Sequence, residues 1–117
     1  MSDEKRYNGW INYETWCVNL WLGNDAGSDS YWREAAQECY ANAKAERNFT
    51  RDERATLDLA QRLKDELDET NPLADEASMW SDLLGAALSE VNWYEIAEHF
   101  IADADKSEEA EELAGVE

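Results

Sequence analysis

The chain has 117 residues, 28 Asp plus Glu against 10 Lys plus Arg, for a net charge of −18, and 44% of it is hydrophobic with six Trp. These counts fit one domain and supply enough apolar surface for a core, which excludes disorder throughout. They also exclude independent nucleic-acid binding, because ten scattered cations cannot offset an acidic field that repels phosphate. No apolar run approaches the roughly 18–20 residues that span a bilayer, and Met1–Arg6 has no apolar stretch behind it, so the reading is a soluble, cytoplasmic protein without a membrane partner. Cys17 and Cys39 form neither a disulfide framework nor a CxxC metal pair, and both read as reduced, small core residues.

Apolar spacing near 3.6 dominates and β-branched runs are missing, so the expected architecture is all-α, one compact domain of about five helices over 1–104 with an acidic, disordered tail over 105–117. A first helix opens at Asn12, whose side chain can cap the amides near Thr15. It is expected to turn Tyr13, Trp16, Cys17, Leu20 and Trp21 inward and to end near Gly23. Residues 24–30 read as a turn, and a second helix over 29–45 carries Trp32, Ala35, Ala36, Cys39, Tyr40 and Ala43 at helical spacing. Thr50-Arg51-Asp52-Glu53 is a capping box that starts a third helix reaching Glu69, with Leu59, Ala60, Leu63 and Leu67 as its buried stripe. Asn71-Pro72 breaks the chain, and Leu73, Ala77, Trp80, Leu84 and Leu88 predict a fourth helix over 73–90 with a core stripe along most of its length. Asn92 repeats the capping device of Asn12 and opens a fifth helix with Trp93, Ile96, Ala97, Phe100 and Ile101 inward, ending near Asp103. The two Asn-capped segments share that device and little else.

The charge is unevenly spread. Residues 1–48 carry eight acids and five bases, whereas residues 49–117 carry twenty acids and five bases. Acids three or four apart on a helix lie about 5–6 Å apart, close to the spacing of phosphates along a DNA strand, so stacked acidic helices can present a duplex-like face to a DNA-binding protein. The candidate contacts are Asp58, Asp65, Glu66, Asp68, Glu69, Asp75, Glu76 and Asp82, with Glu90, Glu95 and Glu98 continuing the acidic surface. Surplus charge that serves only solubility or salt adaptation is the competing explanation.

Seven aromatics fall between Tyr7 and Trp32. Core packing accounts for most of them, and Tyr7, Trp10 and Tyr31 are the candidates for exposed interface anchors. His99 is the lone imidazole, with Glu95 and Asp103 four residues to either side, a spacing that suits surface ion pairs better than a metal. Position 96 is Ile, so the paired Glu-x-x-His motifs of a di-iron bundle are missing, as are a phosphate loop and a second His to serve a nucleophile. The expectation is no enzyme, no metal and no cofactor.

The string Asn8-Gly9-Trp10-Ile11-Asn12-Tyr13-Glu14-Thr15-Trp16, followed by Val18, Leu20-Trp21 and Asn24, resembles small proteins of phages and other mobile elements with an N-terminal NGWxNYETW signature. Tyr31-Trp32 and the stretch 91–97 fit the same pattern. The resemblance implies a mobile-element accessory protein and supplies no catalytic residues. Together with the acidity, it leads to the expectation of an anti-CRISPR or antirestriction inhibitor acting as a DNA mimic on a host nuclease with a basic groove. A homodimer would lengthen the acidic strip. The alternative is an interaction module that recruits a host protein through the aromatic N-terminal region. A metal-assisted hydrolase dependent on His99 is the remaining class.

Overall fold

The computed structural model describes residues 7–104, so the expected tail over 105–117 lies outside the described residues. Five helices follow in order, α1 (Tyr13–Asn24), α2 (Ala26–Asn42), α3 (Arg51–Glu69), α4 (Met79–Ser89) and α5 (Trp93–Ala102), and no strand occurs among the described residues. Two short turns are closed by isolated bridges, Tyr7 with Trp10 and Glu46 with Phe49.

The third helix forms as its local chemistry dictates. The Thr50 hydroxyl accepts the Glu53 amide at 3.1 Å, the Glu53 carboxylate accepts the Thr50 amide at 2.9 Å, and the leucine period carries Leu59 and Leu63 into full burial. α2 packs on α3 through Trp32, Ala35, Ala36, Tyr40 and Ala43, whose small residues let the backbones approach. The start of α3 is clamped to the end of α2 by Arg51, which lies 4.2 Å over the Tyr40 ring and donates to the Tyr40 carbonyl. α5 packs against α3 and completes the core with Ile96, Ala97, Phe100 and Ile101.

Three boundaries differ from expectation. α2 begins at Ala26 because the Asp25 carboxylate accepts the Ser28 amide at 3.1 Å, which reduces the expected turn over 24–30 to a single capping residue; the helix ends at Asn42, where Ala43 turns extended. The fourth helix is shorter than the apolar period suggested. The Asn71 side chain accepts the Leu73 amide at 2.8 Å, and two further turns follow. Ser78 then starts the helix afresh by accepting the Ser81 amide. Of its expected core stripe Leu88 packs against the core and Trp80 is exposed; α4 buries no residue fully, and Met79 and Leu83 are exposed as well.

The inward face of α1 also differs. Thr15 and Leu22 are buried and Val18 packs against the core, whereas Tyr13, Leu20 and Trp21 face outward. α1 is apolar around most of its circumference, so the period alone could not select the face. The anchor is polar, since Thr15 is fully buried and its hydroxyl accepts the Asn92 amide at 2.9 Å.

Candidate interaction surface

The N-terminal motif and the start of α5 are cross-bonded, although they are some eighty residues apart in sequence. Asn12 caps α1 by accepting the Thr15 amide at 2.9 Å while its own side-chain amide donates 2.8 Å to the Glu90 carbonyl. Asn92 caps α5 by accepting the Glu95 amide at 3.0 Å, and its backbone N–H donates to Thr15. The Ile11 amide donates 3.2 Å to the carboxylate of Glu95, which is buried. Glu95 therefore does not continue the acidic surface, and the two capped segments share a lock as well as a device. Asn8 (φ 50°) and Gly9 (φ 91°) form the left-handed turn that swings Trp10 against the imidazole of His99, ring centroids 5.2 Å apart. Trp10 is accordingly half-buried and packed on the core, which removes it as an exposed anchor.

A depression of about 400 Å³ opens beside this lock between Asn8, Gly9, Trp10, Glu95, Glu98 and His99. Among the described residues no group of three His, Cys, Asp or Glu side chains could hold a metal ion. Tyr7 clusters with two of the other aromatics, its ring 5.1 Å from both Tyr13 and Trp16. Tyr13 lies beside Cys17, and a hydrogen bond to that thiol raises the Tyr13 hydroxyl above the usual phenol range.

Placing the eight candidate acids divides them. At 100° per residue, Asp58, Asp65 and Glu69 fall within about 40° of one another on the outer side of α3. The same helix supplies partners, however: Arg54 pairs with Asp58 at 2.8 Å, Gln61 donates to Asp65 at 2.9 Å, Arg62 pairs with Glu66 at 3.0 Å, and Lys64 pairs with Asp68 at 3.4 Å. α3 is a laced helix and not a bare ladder of carboxylates. Tyr31 is similarly committed, donating to Glu66 at 2.7 Å and accepting from Arg62 at 3.2 Å, although 43% of it remains exposed. Arg62 also reaches Glu38 on α2, and these oxygen partners, Tyr31 first, raise its pKa further above an already high value.

Beyond Lys64 the pattern changes. Residues 65–104 contain eleven acids and no Lys or Arg. Glu69 at the end of α3, Asp75 and Glu76 in the connection and Asp82 in the first turn of α4 are all exposed. An apolar groove of about 300 Å³ is walled by Cys17, Val18, Trp21 and Leu22 of α1, Leu67 of α3, Leu84 and Leu88 of α4 and Trp93 of α5, with Thr70, Asn71 and Pro72, which directly follow Glu69 in the chain, completing its lining. Trp21 and Trp80 are the most exposed large apolar residues, at 67% and 66%.

A family model matches residues 3–113. The chain belongs to DUF7249, a family of unknown function. No curated protein and no solved structure matches it. The part of the DUF7249 match described by the structure takes in the cross-bonded lock, the groove and all eight candidate acids.

Within this DUF7249 chain, Trp21 and Trp80 are exposed although both fall in expected inward stripes, and Met79 and Leu83, outside those stripes, are exposed beside Trp80 on α4. For α4 the signal in the sequence is Ser78, a strong N-cap directly before Met79, which shortens the helix. Both cysteines are free and half-buried instead of fully internal; Cys39 packs on the core and Cys17 lines the groove. Burial pushes the Cys39 thiol above its ordinary pKa.

Proposed function

We propose that the protein is a non-enzymatic inhibitor that binds the basic nucleic-acid groove of a host defence nuclease. The observation that carries this reading is the segregation of charge along the chain, every Lys and Arg of residues 7–104 lying at or before Lys64 and eleven acids following, of which Glu66, Asp68 and Asp103 pair with Arg62, Lys64 and Arg33 and Glu95 is buried. Solubility or salt tolerance rewards surplus charge anywhere on a surface and gives no reason to clear one half of cations. A basic groove rewards a cation-free surface, which speeds encounter and displaces counterions. The partnered acids of α3 narrow the contact set to Glu69, Asp75, Glu76 and Asp82.

The test is DNA cleavage by a panel of purified restriction and CRISPR nucleases in the presence of the protein and of a variant carrying Glu69→Gln, Asp75→Asn, Glu76→Gln and Asp82→Asn. The proposal expects at least one nuclease to be inhibited, less so at high salt and less by the variant. Equal inhibition by parent and variant, or none across the panel, contradicts it. A second reading, an interaction module with an aromatic docking surface, is favoured by the exposure of Trp21 and Trp80 but relocates that surface from Trp10 and Tyr31 to α1 and α4.

A further inference from the structure

We infer that the groove between α1 and α4 seats an amphipathic, cationic helix of the partner protein, an inference that rests on the reading above that the partner is basic. α4 is an 11-residue helix that buries none of its residues fully, and a helix of that length gains little stability from its own backbone. Its Leu84 and Leu88 line the groove together with Trp21 of α1, 67% exposed, and these apolar walls are of the kind that supply anchor sites at interfaces.

Charge selects the occupant. α1 and α4 carry Glu14 and Asp82 and no base, and the segments leading into and out of α4 add Glu69, Asp75, Glu76 and Glu90. A second copy would bring another net −18 to the same place, and an anionic lipid surface would be repelled in the same way. A helix with Leu-type residues on one face and Lys or Arg on the flanks satisfies both features, the apolar face filling the groove and the cations meeting its rim.

The experiment uses three peptides free of Trp and long enough for about four helical turns: a Leu–Lys amphipathic helix, a Ser–Lys peptide of equal charge, and a Leu–Glu helix of opposite charge. Binding to the full chain is followed by its Trp fluorescence and by calorimetry. The Leu–Lys peptide is expected to bind about tenfold or more tightly than either control, and Trp21→Ser, or Leu84→Ser, to weaken it about tenfold. Circular dichroism and melting of these variants verify that the fold is kept. Equal binding of the Ser–Lys peptide, or unchanged binding by the variants, overturns the groove assignment and leaves the acidic reading intact. Equal binding of the Leu–Glu helix overturns the charge argument and that reading with it. Failure of the Leu–Lys peptide to bind, or a dimer of the free protein abolished by Trp21→Ser, overturns the groove's assignment to a partner helix.

Discussion

Replacing Thr15 by Val removes one hydroxyl and keeps the side-chain shape, and Val shares the β-branched constraint at χ1, so the helix around it changes little. The loss is the acceptor for the Asn92 amide, a 2.9 Å bond to a residue with 0% exposure. A fully buried amide left without a partner costs about 1–3 kcal/mol, and the Asn92 amide is part-buried; at about 1 kcal/mol, a domain of roughly 100 residues loses about 4–8 °C in Tm. Thr15→Ser keeps the oxygen and sacrifices a methyl group worth about 0.8 kcal/mol, so it is expected to fall between parent and Val. Thermal and urea denaturation measure both, and amide exchange at Asn92 reports the site directly, rising in the Val variant. A Val variant within about 0.5 kcal/mol of the parent, or a Ser variant less stable than Val, would refute the claim that this hydroxyl ties α1 to α5.

Other expectations follow from the same geometry. Leu63→Ala, at 0% exposure on the α3 stripe, is expected to cost about 2–5 kcal/mol in urea denaturation. Arg62→Leu breaks the link from α3 to Tyr31 and Glu38, but its partly exposed, water-screened setting limits the loss to about 1 kcal/mol, smaller still at high salt. Trp80→Ser with Leu83→Ser is expected to leave stability within about 0.5 kcal/mol, because both side chains already face solvent. Cys39, examined in Cys17→Ser, is expected to react with a thiol reagent more slowly in the folded than in the unfolded chain. Its raised pKa favours the protonated native form, so its contribution to stability is complete below the unfolded thiol pKa and fades as pH rises through the folded value; Cys39→Ala is expected to remove that alkaline loss.

What the sequence discloses here is what local chemistry decides. α3 is legible to the residue because a capping box and a leucine period both act within a few positions. The Asn12 and Asn92 caps are legible for the same reason, whereas their cross-bonding joins residues some eighty apart and leaves no periodic trace. α4 was overextended because Leu73 and Ala77 continue its period by coincidence while Asn71 and Ser78 set the real boundaries. On the acidic surface, the partners of Asp58, Asp65, Glu66 and Asp68 stand four positions upstream of each acid. That spacing is readable in the sequence and reduces the bare candidates to those after Asp68. The outward turn of Trp21 and Trp80 depends on how the helices dock, which apolar spacing alone does not specify.

The acidic surface beyond Lys64 is the centre of the account, and the salt dependence of binding to an inhibited nuclease tests it most directly. The parent is expected to show a steep fall in affinity as salt rises, and the variant carrying Glu69→Gln, Asp75→Asn, Glu76→Gln and Asp82→Asn a weaker affinity with a shallower slope. Identical affinity and slope for the two proteins would contradict it.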